Sequence, residues 1–198
     1  MKQVKVITAQ EAALLVKDND VVASNGFVGS VQPEALTSAL EARFLETGAP
    51  RDLTLIYAAS QGNSDGRGGD HFAHEGMLKK AILGHWNAVT ALQKLVNANK
   101  IQAYNLPQGT LAQYFRDVAA HRVGTITHVG LETFADPRVS GGRLNDVTTE
   151  DFVKVIQIDG KDQLFYPRME INVALIRGTY ADEWGNVVLT KEIAPLDA

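Results

Sequence analysis

Residues 100–119 read KIQAYNLPQGTLAQYFRDVA, and the change of period inside this run decides the fold. Lys100 to Tyr104 has the pattern of a strand. A Pro-Gln-Gly turn at 107–109 follows, and Leu111, Tyr114, Phe115, Val118 and Ala119 then recur at helical spacing until His121 and Gly124 end the helix. Thr110, with Gln113 three residues on, predicts a capping box at the start of that helix. A strand that passes through a tight turn into a helix is half of a βαβ unit. Gln108 is the one residue of the run without a task in this local account. It stands where a strand's carboxyl end meets a helix N-terminus, the place at which α/β folds hold their ligands. A polar residue in a tight turn is the plainer reading, and the stretch by itself does not choose between them.

The same alternation extends on both sides. Thr8 to Lys17 predicts a short helix packed through Ala12, Ala13, Leu15 and Val16, and Asp20 to Ala23 a strand. SNGFVGS (24–30) then leads into a helix started by Pro33, with Ala35, Leu36, Ala39, Leu40 and Phe44 on its buried face. Leu53 to Tyr57 reads as a strand, followed by a long glycine-rich loop, mobile or specifically folded, in which Gly62 to Gly69 has no assigned role. Helices are expected at Gly76–Ala81 and Ala88–Ala98, and a further strand at Thr125–Val129. Residues 130–145 have no periodicity and read as an ordered excursion. Phe152–Ile158 and Gln163–Tyr166 flank Asp159-Gly160, a strong hairpin signal. Ile171–Arg177 and Val187–Leu189 are the last β segments. The whole predicts α/β architecture: an open, mostly parallel sheet flanked by helices, with a β-hairpin excursion.

The chain has 198 residues, of which 45% are hydrophobic, enough for one α/β domain spanning 1–198. It has no cysteine, which removes thiolate catalysis and Cys-based metal centres and fits a reducing compartment. A formal charge of −4 with both signs interspersed leaves no basic stripe, so no nucleic-acid partner is expected. No apolar run approaches the roughly 18 residues of a membrane span and the N-terminus lacks a signal-peptide pattern; no membrane association is expected, and the chain is read as cytoplasmic. The ending at Ile193–Ala198 reads as that of a chain that naturally continues.

Several chemical readings compete. SNGFVGS lacks both Gly-Lys-Ser/Thr and G-x-G-x-x-G, so its amides are either an anion cradle or a plain turn. His71 and His74 lie near Asp70, Glu75 and His85, but the spacing fits no zinc motif, and no metal is assigned. Asp136, Asp182 and Glu183 sit in turn-like runs that favour structural roles, and no nucleophile elbow surrounds Ser24, Ser60 or Ser64. Trp86 serves a core or a pocket floor.

LGHW (83–86), NKIQAYNLPQGTLAQYFRDVAAH (99–121), GLETFADPRVSGGRLNDVT (130–148) and IRGTYADEWGNV (176–187) occur in this order. Together they resemble the amino-terminal half of family I CoA-transferases, of the fused short-chain acyl-CoA:acetate or acetoacetate type related to propionate CoA-transferase. The resemblance covers the chain from about Val21 to its end. It implies an α/β sheet in each half of a pseudo-symmetric enzyme, with the active site between the halves and a nucleophilic glutamate in the carboxyl-terminal half. That glutamate becomes an acyl anhydride and then a glutamyl-CoA thioester, with ping-pong kinetics. No glutamate here, Glu34, Glu75, Glu132 and Glu183 included, matches it.

The family's Pro-Gln-Gly glutamine corresponds to Gln108, an active-site amide, with Gly109 beside it as a substrate contact. Its Gly-Gly-Phe loop is similar to Asn25-Gly26-Phe27, where Asn25 replaces a glycine. These three are substrate-binding candidates through backbone and shape. An asparagine that some relatives carry after the next strand falls near Ala58–Ser60 and has no counterpart there. The resemblance further implies no metal and no cofactor beyond the CoA thioester substrate. Its implied partners are acyl-CoA, short carboxylic acids and the missing half, in a homo-oligomer that serves short-chain fatty acid or ketone-body metabolism, with the fragment inactive alone. Two alternatives stay open at this point. One is a sugar-phosphate isomerase binding phosphate at SNGFVGS; the other is a noncatalytic partner-binding domain.

Overall fold

A computed structural model describes residues 3–192. Its strands are β1 (Val21–Ser24), β2 (Leu53–Tyr57), β3 (Leu78–Leu83), β4 (Gln102–Asn105), β5 (Gly124–Thr127), β6 (Lys154–Ile158), β7 (Lys161–Pro167), β8 (Val173–Leu175), β9 (Tyr180–Ala181) and β10 (Val187–Val188). Its helices are α1 (Ala9–Ala13), α2 (Glu34–Thr47), α3 (Thr90–Asn97) and α4 (Gln108–Ala119), with a 3-10 turn at Gly68–Phe72. The main sheet has the order β4-β3-β2-β1-β8 and every pairing in it is parallel. The strands therefore all end on one edge.

Alternation along the strands sorts side chains between two cores. Leu55 and Tyr57 of β2, Leu83 of β3 and Ala103 of β4 join Leu40, Phe44, Leu92 and Val96, which come from α2 and α3. Ile56, Ile82 and Tyr104, one residue out of phase, join Leu111, Tyr114 and Phe115 of α4 with Leu164 and Tyr166 of β7. Each such large side chain contributes roughly 1.5–3 kcal/mol when fully buried. The second face is closed by α4 and a three-stranded antiparallel sheet in the order β5-β7-β6. Asp159 (φ 50°) and Gly160 (φ 74°) make the tight β6–β7 turn, both in the left-handed region it requires.

The α/β class, the parallel sheet and the hairpin agree with the sequence reading, and three local expectations do not. Gly76–Ala81 is no helix: residues 78–83 are the central strand β3. Leu78, Ala81 and Ile82 mimic helical spacing because a strand covered on both faces is a nearly continuous apolar run. The strand expected at Thr125–Val129 is present as β5, and it belongs to the small antiparallel sheet. Leu15 is 63% exposed, and Ala35 and Ala119 are also exposed. Thr110 caps nothing: α4 begins two residues earlier, Pro107 precedes it, and Gln113 donates to Asp117 instead. A capping box does exist in the chain, between Thr8 and Glu11 at the start of α1. The ending at 193–198 lies outside the described residues. Among the described residues no helix is long and apolar enough to cross a membrane.

Candidate functional site

The turn after β4 is set by its backbone. Leu106 N–H donates to Leu83 O at 3.0 Å, extending the β3–β4 pairing by one residue, and Pro107 (ψ 124°) then turns the chain out of the sheet. The first bond of α4 runs from Leu111 N–H to Pro107 O, so the amides of Gln108, Gly109 and Thr110 have no acceptor within the helix. The Gln108 side chain is half-buried and makes no hydrogen bond among the described residues. A Cβ placed on Gly109 would meet nothing within 4 Å. An unengaged side-chain amide, a helix N-terminus and open space thus coincide, an arrangement suited to a developing negative charge.

The turn after β1 is built differently. Asn25 is buried, and its side chain takes Arg177 N–H at 3.0 Å and donates to Arg177 O at 3.3 Å, which carries the β1–β8 pairing past the strand ends. Phe27 and Ser30 exchange backbone bonds of 2.9 and 2.8 Å, and Val28 N–H donates to Ser60 O at 2.6 Å. Gly26 adopts φ 136°, with Ser30 O 3.2 Å from where a Cβ would stand. Phe27 is left 38% exposed. The turn therefore offers shape and one aromatic ring, while Asn25 is a clamp on β8. Beside it a cavity of about 430 Å³ lies between the start of α2 (Gln32–Leu36) and Ile176–Gly178.

Three strand spacings, roughly 14 Å, separate β1 from β4, and the segment after β2 fills that interval. Gln61 donates its side-chain amide to Ser24 O at 2.7 Å, and Gly62 N–H donates to Val28 O at 3.0 Å. On the other side, a Cβ on Gly84 would lie 1.8 Å from Ala58 O and 3.1 Å from Gln108 Cα. Gly84 is thus the point at which the ends of β2, β3 and β4 close together, and LGHW is its only sequence trace. The long loop is specifically folded: Gly68–Phe72 is buried, and Asp70 caps α3 by accepting from Ala91 and Leu92 N–H at 3.0 and 3.2 Å. Burial pushes the Asp70 carboxyl above its usual range despite those bonds.

The remaining candidates have structural partners. Asp136 is buried and accepts from the Arg138 guanidinium and from Glu132 and Arg138 N–H, which holds its carboxyl well below the usual range. Asp182 accepts from Trp184 and Asn186 N–H within its own turn, and Glu183 accepts from Gln3. Ser60 accepts from Ala88 N–H and Ser64 donates to Asn87 O. Trp86 donates to Tyr104 O at 3.3 Å. Glu75 pairs with Lys100. His71 and His74 meet Glu34 and Glu41, while His85 follows the end of β3; among the described residues no cluster fit for a metal ion forms.

The fold that carries these strand-end turns has counterparts in known proteins. Residues 6–197 match the Coenzyme A transferase family, and the chain belongs to it. It is 40% identical over 188 residues to caffeate CoA-transferase of Acetobacterium woodii, across 95% of this chain and 36% of that protein. The acyl-CoA transferase YdiF of Escherichia coli O157:H7, solved as a thioester complex with CoA, superposes with a TM-score of 0.91 at 38% identity, over 96% of this chain and 37% of that one. The acetate CoA-transferase subunit alpha of Escherichia coli K12 is 27% identical across 92% of this chain and 74% of that subunit. The chain thus spans little more than a third of the first two relatives.

Proposed function

We propose that the chain is the amino-terminal region of a short-chain acyl-CoA:carboxylate CoA-transferase, a truncated half that supplies Gln108 and the Asn25–Phe27 turn to a site completed by a glutamate from the other half. The observation that carries this reading is the unengaged amide of Gln108 on the α4 N-terminus, at the same sheet edge as the turn after β1. The glutamate carboxylate attacks the thioester carbonyl, CoA leaves as thiolate, and an acyl–glutamyl anhydride remains. The thiolate then attacks the glutamyl carbonyl, releasing the donor acid and leaving glutamyl-CoA; the acceptor carboxylate reverses both steps. Each attack creates an oxyanion, which the Gln108 amide and the α4 amides are placed to meet. Gly109 leaves room for the acyl group, and Phe27 forms a wall. No metal or redox cofactor is needed, and the partners are acyl-CoA, a short acid and the other half, in a homo-oligomer.

The isomerase alternative is weakened by the first turn. Its amides at Phe27, Val28 and Ser30 already donate to Ser30, Ser60 and Phe27 carbonyls, which removes three of the donors a phosphate nest would use there. The test is to incubate the chain with acetyl-CoA and a labelled short acid, alone and with the remaining reading frame. Exchange is expected only with the remainder, together with a CoA adduct on one of its glutamates by mass spectrometry. Turnover by the 198-residue chain alone, or no adduct in the active mixture, overturns the reading.

A further inference from the structure

A cluster outside the strand ends has chemistry that CoA transfer does not absorb. His71 is buried, and both of its ring nitrogens face carboxylates: Nδ1 lies 2.5 Å from Glu41 Oε2 and Nε2 lies 2.9 Å from Glu34 Oε1. Glu41 Oε1 also meets His74 Nε2 at 2.7 Å. Ionised carboxylates only accept, so the arrangement needs both ring nitrogens as donors, which is the imidazolium. A neutral ring would turn a lone pair on one carboxylate.

We propose that His71 is a positioning residue for the acyl pocket: its imidazolium, donating to Glu41 and Glu34 at once, fastens the glycine-rich segment to α2 and thereby holds the Asn25–Phe27 turn, and the fastening loosens when the ring loses its proton. Two routes connect the ring to the turn. Glu34 Oε2 accepts Gly68 N–H at 3.0 Å, and Gly68 leans on Gln32 and Gln61, where a Cβ would stand 2.6 Å from Gln32 Oε1 and 2.7 Å from Gln61 O. Gln32 donates its amide to Val28 O. In parallel, Gly69 N–H donates to Gln61 O at 2.7 Å, and residues 60–62 bond to both sides of Val28.

The charged groups facing the ring are Glu34 and Glu41 from α2 and Asp70 from its own segment; His74 faces Glu41, and its ring stacks on Phe44, over which Arg51 lies. Burial opposes the charge on His71, but the bonds to Glu34 and Glu41 outweigh it and the net displacement is upward. A raised histidine contributes stability that is complete below its unfolded value of about 6.5 and is lost as the pH rises through the folded value.

The consequence for the pocket rests on the functional reading above, whereas the latch is decided without any activity measurement. On the 198-residue chain, NMR titration follows the His71 ring while hydrogen exchange reports on Gly68 and Gly69. The expected result is titration above about 6.5 and a protection loss of about tenfold or more at both glycines across it, with Leu55 and Ile56 unchanged. Glu41→Gln supplies an amide N–H to a neutral ring, so its loss should shrink to about twofold. His71→Gln should leave both glycines unprotected at every pH. In the complete transferase, the KM for the acid should rise over the same pH range with kcat less affected, and Glu41→Gln should flatten that rise. His71 titrating at or below about 6.5, protection at Gly68 and Gly69 that ignores pH, or a wild-type pH response in Glu41→Gln overturns the proposal.

Discussion

The two turns at the carboxyl edge look alike in sequence and differ in what they leave unused. After β1, the Asn25 amide is taken up by both backbone groups of Arg177, and the Phe27, Val28 and Ser30 amides all have carbonyl acceptors. After β4, the Gln108 side chain has no partner among the described residues, and Gly109 faces open space. On the function proposed above, the first turn serves mainly as a shaped wall and the second as a donor. A glycine-rich loop announces itself in sequence, but a loop whose Asn25 side chain and Phe27, Val28 and Ser30 amides are engaged has less to donate than its glycines suggest; the residue that can act is the one left over.

The contrast breaks most directly at Gln108. In the complete transferase, Gln108→Ala should lower kcat by roughly 10²- to 10³-fold, as removal of an oxyanion donor does, with an unchanged melting temperature. A stable variant with wild-type kcat would make this turn as inert as the other. Next in size is Gly84→Ala. Its Cβ would stand 1.8 Å from Ala58 O, a backbone atom with little freedom to move, so a loss of stability at the upper end of the roughly 1–3 kcal/mol usual for overpacking is expected in urea unfolding. Asn25→Ala should cost roughly 1–3 kcal/mol by leaving Arg177 backbone groups unpaired, with a proportionate fall in active protein and little change in kcat per folded molecule. A kcat loss as large as that of Gln108→Ala would show that Asn25 donates to substrate after all. The smallest effect belongs to Gly109→Ala: within about 1 kcal/mol in stability, on either side of zero, because the position is helical and uncrowded, yet with a raised KM for the bulkier acids if the acyl group uses that space.

Much of this was legible beforehand, for definite reasons. Leu53–Tyr57 was read to the residue because a β-rich run that starts straight after Arg51-Asp52 and ends at small residues leading into a glycine-rich loop is bounded on both sides, and Asp159-Gly160 because its tight turn needs positive φ at both positions. The strand–turn–helix reading around Gln108 held although its cap did not. Thr110 is buried within the first turn of α4 and looks like a cap only when the helix is assumed to start at its first apolar residue. Gly76–Ala81 failed because period cannot separate a strand covered on both faces from a helix over six residues. What sequence could not offer was proximity. Nothing in the run from Gly62 to His74 indicates that His71 will lie between Glu34 and Glu41, thirty and more positions away, and nothing in LGHW says that Gly84 will touch the backbone of both Ala58 and Gln108.

The helix that carries Gln108 is fastened along its length. At its far end Asp117, buried, accepts from Arg122 and from Thr125 at the start of β5. At mid-length the Tyr114 hydroxyl donates to Pro167 O at 3.1 Å and accepts from Met169 N–H at 2.7 Å, its phenol kept neutral by burial that lifts it to about 12. At the near end Leu106 is tied to Leu83. A strut held at three points has few low-frequency motions to give up, so ligand arrival should change the order parameters of Leu106–Thr110 hardly at all. On the function proposed above, the entropy of aligning amide with carbonyl would be lost when the chain folds rather than at each turnover, and the search for alignment would fall to the acyl group.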